Sequence, residues 1–579
     1  MKKIILLFAG LLSTVAVNAQ QANLVWAKAF AASNATGYPS VYNSVIEPSG
    51  SGVLVGGDFK GAIDFDPSAN SLFLSGTGVS TGFLAYLNAA GDLQWAKSFQ
   101  GSSEVRVQAI QEDAAGNIYI AGVFKGSVDL NPDTVLSNQV TSTGDNDVFI
   151  AKLNGLGNFI WGRSLGNAGS NSQSTMMVDG SGFLYLSFNF KDSIDADPGT
   201  GVSMIQSNGM DDAIVVKMDG NGAYVSAFNL GGPYVDAITD LKTNNNGELL
   251  ITARVLGTLD VDPGAGTQLV TISSGNVGGL VLKLSSTGQF VARYVFEPTT
   301  SPSACQLDGI GVDAAGNMYV NGNFSGTIDF DPGAGTASKQ SFMSTMDMFV
   351  AKLSSAGVYQ WCDVFGANYS DYSGHLAVLP DGHSYMLGQF GGTIDLDPDS
   401  VGTYNITATT GNFPMYECIV GLNSDGSLSW GRLINGYGSG NAGRSLVADG
   451  NNTIYECGYF GGTLDFDPNN TIYNLSCPLL TSGSFVLKLS NAVTGIEDMQ
   501  PFSGSLYPNP ADDWLWISTD EFQQAETLLL YDAKGTLVRT PVIRNERSFK
   551  VDVRSLPAGL YLGVLSGNRP SSFRFIISH

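Results

Sequence analysis

Basic charge is what this chain most lacks: 28 Lys and Arg stand against 52 Asp and Glu, a formal net charge of -24. Nucleic-acid binding needs basic stripes, so that class is excluded, and a cation or a basic partner fits the acidic balance better. Histidine is nearly absent, with only His375, His383 and His579. Neither a Ser/His/Asp or Cys/His arrangement nor a Gly-x-Ser-x-Gly elbow can be drawn from them. The five cysteines, Cys305, Cys362, Cys418, Cys457 and Cys477, form no CxxC pair, which excludes a thiolate metal site of the usual spacing. They read as buried thiols acting as small hydrophobes, with a Cys457–Cys477 bridge as the alternative. No sustained i, i+3, i+4 apolar pattern exists, so almost no helix is expected after the leader. Long apolar runs are missing too. Ile4 to Leu12, behind Met1-Lys2-Lys3 and before Val17-Asn18-Ala19, reads as a signal peptide over residues 1–19 and is too short to span a bilayer.

What the chain does have is self-similarity. Gly326-Thr327-Ile328-Asp329-Phe330-Asp331-Pro332-Gly333 returns along it, its first acidic residue recurring as Asp64, Asp129, Asp195, Asp260, Asp329, Asp395 and Asp465. The steps between them are 65, 66, 65, 69, 66 and 70 residues, and a fixed long period means a repeat architecture. Five positions before each Asp stands Phe59, Phe124, Phe190, Val255, Phe324, Phe390 or Phe460. A second column is built on Trp26, Trp95, Trp161, Trp361 and Trp430, with Ser226 and Ala292 in two degenerate copies. Five of the seven tryptophans therefore share one place, a packing role repeated rather than a cofactor box.

The unit from Val105 to Leu165 contains four strand patterns joined by turns, an antiparallel meander. One such sheet cannot bury both of its faces, whereas seven stacked around an axis can. The third strand has seven copies, from Phe83–Leu87 to Phe485–Leu489. The Trp strand also has seven, but one precedes everything else and none follows Leu489. The spacing thus predicts an all-β, seven-bladed β-propeller of four-stranded antiparallel blades over residues 20–490, closed by Leu24 to Phe30 pairing beside Phe485 to Leu489. Closure of that kind removes an unpaired edge.

The Asp-x-Asp/Asn-Pro segments close the second strands and share one rim, followed by long loops of the sort where binding is placed. Asp64, Asp66, Asp129, Asp195, Asp197, Asp260, Asp262, Asp329, Asp331, Asp395, Asp397, Asp465 and Asp467 are the candidate calcium ligands, since Ca²⁺ takes six to eight oxygens from flexible loops. Against that, Asn131 replaces one acid and the intervening residue is apolar in every copy, which favours a turn in which Asp caps its own backbone. The recurring Lys152, Lys217, Lys283, Lys352 and Lys488 read as alkyl stems packed between blades with the ammonium at the edge. Two functions remain: a non-enzymatic scaffold binding a glycan, protein or matrix component on the loop-rich face, or a polysaccharide-acting hydrolase using two carboxylates in the channel.

Residues 491–505 read as a linker, and from Leu506 the pattern stops repeating. Six or seven short strands in residues 506–579 suggest a small β-sandwich. Tyr507-Pro508-Asn509-Pro510, the Tyr531-Asp532-Ala533-Lys534-Gly535 turn and Leu556-Pro557-Ala558-Gly559-Leu560-Tyr561 resemble the type A C-terminal sorting domain of the type IX secretion system of Bacteroidota. That resemblance implies Tyr507, Pro508, Asn509, Pro510, Gly535, Gly559 and Tyr561 as sorting-motif residues and the secretion machinery as partner. It further implies cleavage of the tail and release or anchoring at the outer cell surface. Gly116-Asn117-Ile118-Tyr119-Ile120-Ala121-Gly122 and Gly316-Asn317-Met318-Tyr319-Val320-Asn321-Gly322 resemble bacterial β-propeller repeats, a resemblance that names no activity.

Overall fold

A computed structural model describes residues 23–490 and 500–578, except 33–39, 51, 69, 134–135, 399–402, 409–415, 435–441, 450–452, 468–471, 479–480, 502–503, 519–524, 532–536, 539–541, 546–547 and 568–570. The expected leader, most of the expected linker, Gly535 and His579 lie outside the described residues. The chain is all-β, and the only helical element among the described residues is a single 3-10 turn, Phe342–Ser344. It divides into two compact units, residues 1–491 and 492–579.

In the first unit the alternation of short apolar strands and Gly-bearing turns yields seven four-stranded antiparallel sheets. They run from Ser40–Ser49 to Leu93–Phe99, Val105–Glu112 to Phe159–Leu165, Ser172–Val178 to Tyr224–Leu230, Ala237–Thr243 to Phe290–Pro298, Ala304–Val312 to Tyr359–Phe365 and Tyr372–Val378 to Leu428–Ile434. The seventh consists of Ala442–Ala448, Thr453–Phe460 and Gly483–Ser490, and its fourth strand comes from the other end of the chain. Asn23–Ala32 pairs antiparallel with Gly483–Ser490, with Ala27 opposite Leu487 and Phe30 opposite Ser484. The first strand of each sheet touches that of the next, and the seventh touches the first.

Second strands are apolar on both faces because both are covered. Leu184–Phe190, for example, is buried along its whole length. Such burial yields about 25 cal/mol per Å² of apolar surface, and here it recurs in every sheet. The turn that closes the first hairpin shows how local chemistry fixes the repeat. Asp113 Oδ1 accepts from the N–H of Ala115 (3.0 Å) and Asn117 (2.9 Å). Gly116 sits at φ 76°, a region only glycine enters without strain.

Each repeat carries more than the expected four strands. A two-stranded hairpin of three-residue strands follows every second strand, as in Thr327–Asp329 with Ser338–Gln340. Two of these hairpins extend the preceding sheet: Glu297 and Pro298 pair with Asp329 and Ile328, and Ala31 and Ala32 pair with Asp64 and Ile63.

The lysine column is corrected as well. In four of its five members the ammonium does not idle at the edge but donates to a turn carbonyl of the next sheet, often beside the indole N–H of the Trp column, while Lys283 pairs with Glu248 at 2.7 Å. Lys152 Nζ (3.0 Å) and Trp161 Nε1 (3.3 Å) donate to Gly220 O, and Lys352 (2.8 Å) and Trp361 (3.3 Å) to Ser424 O. The same clamp joins the seventh sheet to the first, where Lys488 (3.2 Å) and Trp26 (3.0 Å) donate to Ala89 O. The ring of Tyr119, 4.6 Å from Lys152 Nζ, and that of Tyr319, 4.7 Å from Lys352 Nζ, hold the ammonium from below.

The second unit has a five-stranded and a four-stranded sheet around Leu515, Ile517, Leu530, Phe549, Val551, Phe573 and Phe575. All five cysteines are buried free thiols, so Cys457 and Cys477 are not bridged.

Candidate functional site

The rim acids belong to the backbone. In all seven copies the first Asp, through Oδ1, accepts the N–H two residues on and a second N–H across the hairpin. Asp329 takes Asp331 (3.0 Å) and Ala337 (2.8 Å). Asp129 takes Asn131 (3.1 Å) and Asn138 (2.8 Å). Asp64 and Leu72, Asp195 and Ser203, Asp260 and Gln268, Asp395 and Tyr404, and Asp465 and Tyr473 repeat the long-range bond at 2.7 to 2.9 Å. The second acid turns the loop again: Asp66, Asp197, Asp262 and Asp331 accept from the residue two positions on. Asn131 does so equally well, so the job needs an oxygen and no charge. Among the described residues no three His, Cys, Asp or Glu side chains converge to hold a metal ion. Asp397 and Asp467 donate their N–H to Asp395 and Asp465 in the same pattern. The apolar residue between the acids is a core anchor: Phe65, Leu130, Ala196, Val261, Phe330, Leu396 and Phe466 are all buried.

With the acids turned inward, apolar side chains of the same hairpins and loops are left outside. Phe73 (49% exposed), Met204 (58%), Leu269 (54%) and Met343 (73%) stand in water. Met343 and Ser344 hold positive φ values of 48° and 60°, strained for residues with a β-carbon, in a 3-10 turn found in no other repeat among the described residues.

A cavity of about 590 Å³ is lined by the first strands of all seven sheets. It gathers polar side chains that the strand periodicity hid. Asp308 Oδ2 accepts from Ser373 Oγ and Asn323 Nδ2, both at 2.6 Å. Burial still pushes its carboxyl up to about 7, against the pull of those two bonds. Burial likewise raises Glu47 to about 7, with Lys242 drawing it down and Glu112 pushing it up. His375 is held below its ordinary value by burial, opposed by Asp240, and its Nδ1 lies 3.5 Å from Ser445 Oγ. This set can hydrogen-bond a polar ligand and hold a proton near neutrality. The signal available in the sequence was the register: Glu47 and Lys242 occupy a place that Gln111, Met177, Gly311, Ala377 and Val447 fill elsewhere.

In the second unit the tail residues are structural neighbours. Tyr507 stacks on Trp516 with 6.4 Å between ring centroids, and Asn509 Oδ1 accepts the Ile576 N–H at 2.8 Å. Pro508 and Pro510 flank that asparagine. Gly559 opens the strand Gly559–Gly567, on which Tyr561 donates its hydroxyl to Pro557 O at 2.8 Å.

Three solved structures are similar to parts of the chain. A protein of unknown function from Bacteroides caccae is 12% identical (TM-score 0.27, 61% of this chain, 89% of that one). A member of the DUF4221 family from Bacteroides vulgatus is 9% identical (TM-score 0.27, 82% and 99%). The full extracellular region of plexin A4 is 8% identical (TM-score 0.29, 96% and 62%). At these scores none of them bears on the fold. No curated protein matches the chain. Residues 505–578 match the family model of the secretion system C-terminal sorting domain, and by that tail the chain is directed through type IX secretion to the cell surface or the extracellular space.

Proposed function

We propose that residues 23–490 form a closed seven-bladed β-propeller that works outside the cell as a non-enzymatic scaffold, binding a glycan, protein or matrix ligand on its hairpin-bearing face. In support of the ring stand the seven sheets, the N-terminal strand in the last of them, and the Lys488 and Trp26 clamp onto Ala89. The observation that carries the binding reading is the exposure of Phe73, Met204, Leu269, Phe342 and Met343 on hairpins and loops whose acids serve the backbone. These side chains belong to the first, third, fourth and fifth repeats, so a ligand that covers the face can meet an apolar contact on each.

The test is a screen of the full chain against immobilised glycans and extracellular proteins, followed by melting of the protein with each hit. A ligand that binds only the folded state raises the melting temperature. Replacing Phe73, Met204, Leu269 and Met343 by Ser must abolish that rise, and a rise unchanged by the substitutions refutes the assignment to this face. The runner-up, hydrolysis of a polysaccharide in the cavity, draws on Asp308 and Glu47, two acids that keep their protons close to pH 7. Release of reducing ends by the wild type, lost in Asp308→Asn, would favour it.

A further inference from the structure

Two glutamates face each other inside the contact between the sixth and seventh sheets. Glu417 lies on Tyr416–Leu422 and is 9% exposed; Glu456 lies on Thr453–Phe460 and is 0% exposed. Strand register shows how odd the second is. Its place is filled in the other six sheets by Val55, Ile120, Leu186, Ile251, Val320 and Met386, all buried. At the place of Glu417 the siblings carry Gly, Val, Ala, Gly, Met and Ser. Two apolar or small core positions have thus been exchanged for acids, and the two touch each other.

Glu417 Oε1 and both Glu456 oxygens have no hydrogen-bond donor among the described residues. The Gly443 N–H bonds Glu417, and the charge of Arg444 acts on it. Arg444 itself is drawn off, its guanidinium 5.1 Å from the Tyr459 ring centroid with an N–H on the Tyr459 hydroxyl at 3.1 Å. The remaining titratable neighbours are Cys418 and Cys457, neutral thiols held high by burial and by the glutamates. A β-carbon at Gly443 would stand 1.6 Å from Glu417 Oε1 and 2.7 Å from Glu456 Oε1, so both carboxyls converge on one bare α-carbon. An ionised pair in such a place repels itself, with only the Gly443 N–H and the Arg444 charge on Glu417 to offset it and nothing on Glu456. One proton carried by either carboxyl and accepted by the other satisfies both.

We propose that Glu417 and Glu456 form a proton-sharing carboxyl pair that makes the contact between the sixth and seventh sheets a pH-sensitive joint, held while the proton stays and forced apart when it leaves. The titration agrees in direction. Burial raises Glu417 to about 7, and burial together with the charge of Glu417 raises Glu456 well above its ordinary value. A carboxyl whose folded-state pKa is raised holds its proton more tightly in the fold. The contribution of the pair is complete below the unfolded value of 4.5; the first proton leaves as pH rises through 7, and the shared one leaves only above that, so the loss continues on the alkaline side.

The experiment is thermal and chemical unfolding of the full chain from pH 5 to pH 9, in wild type, Glu456→Met and Glu456→Gln. Across that range the folded-to-unfolded ratio of the wild type is expected to fall by about 100-fold more than that of either variant. Glu456→Met, the residue of the sixth sheet at the same place, is expected to melt above the wild type at pH 8. Should that variant not fold, the isosteric Gln carries the comparison. The infrared absorption of protonated carboxyls at pH 8 must also be weaker in Glu456→Gln than in the wild type. Equal pH slopes in all three proteins overturn the proposal. So does a rise in wild-type melting temperature with added Ca²⁺, Mg²⁺ or Zn²⁺ that Glu456→Gln abolishes, because the pair would then be holding a cation.

Discussion

Asp329 and Glu456 are both acids on strands, yet one stands in a place filled identically seven times and the other where six sibling sheets carry Val, Ile, Leu or Met. The repeated acid is satisfied by two backbone N–H groups, whereas neither oxygen of the singular one meets a donor. Repetition here goes with local architecture, because every copy must solve the same hairpin. Departure from repetition goes with chemistry that the scaffold does not need. The cavity follows the same rule, with Glu47 and Lys242 breaking a column that Gln111, Met177, Gly311, Ala377 and Val447 fill elsewhere.

The largest effect expected from breaking the repeated part comes from the N-terminal strand. Deleting residues 23–32 strips the seventh sheet of its edge strand and exposes the apolar contacts of Trp26 and Phe30, roughly 5 kcal/mol for those two side chains alone. Loss of cooperative unfolding by circular dichroism and aggregation on a sizing column are the expected readings. Next comes the staple. Asp329→Ala orphans two N–H groups and is expected to cost about 2 kcal/mol in urea unfolding, while Asp331→Asn, which copies Asn131, is expected to be nearly silent. If calcium sat on these acids instead, Asp331→Asn would be damaging and millimolar calcium would raise the melting temperature of the wild type. The interblade clamp ranks third: Lys352→Met removes a bond to Ser424 O in a half-buried setting, at about 1 kcal/mol.

The smallest change sharpens the singular side of the comparison. Asp308 has its pKa raised from 3.8 to about 7, so it too stabilises most at low pH and loses that contribution between pH 4 and pH 7. Asp308→Asn is expected to remove its own share of that slope and to leave the share of Glu417 and Glu456, which runs on above pH 7, in place.

Much of the first unit was legible because its period is long and its columns are strict. The Trp and Asp columns set the sheet count, and the missing last copy of the Trp strand pointed to residues 24–30. The seven small hairpins were not legible, since strands of three residues are too short for alternation to register. The role of the rim acids was half visible. Capping of the N–H two residues on follows from turn chemistry, but the second bond leaps eight or nine residues over a loop of variable sequence. The acid pair was hidden for a different reason. Glu417 and Glu456 belong to separate repeats, and each looks like an ordinary polar interruption until strand register sets it beside its siblings. In the tail the Tyr507 to Pro510 segment was conspicuous as a motif, though its bond from Asn509 to the backbone of Ile576 depends on the fold.

The hydroxyl of Tyr473 reaches the carbonyl of Ala27 across 446 residues of chain. Contacts of such sequence separation form late, because loop closure must be met before they reward it. Phe30 meets Phe65 and Phe83 of the first repeat, but the strand pairs along its length only once Gly483–Ser490 of the seventh repeat has been made. A ring wired this way stays open until its last repeat is present, and every shorter piece of the first unit carries an unpaired edge.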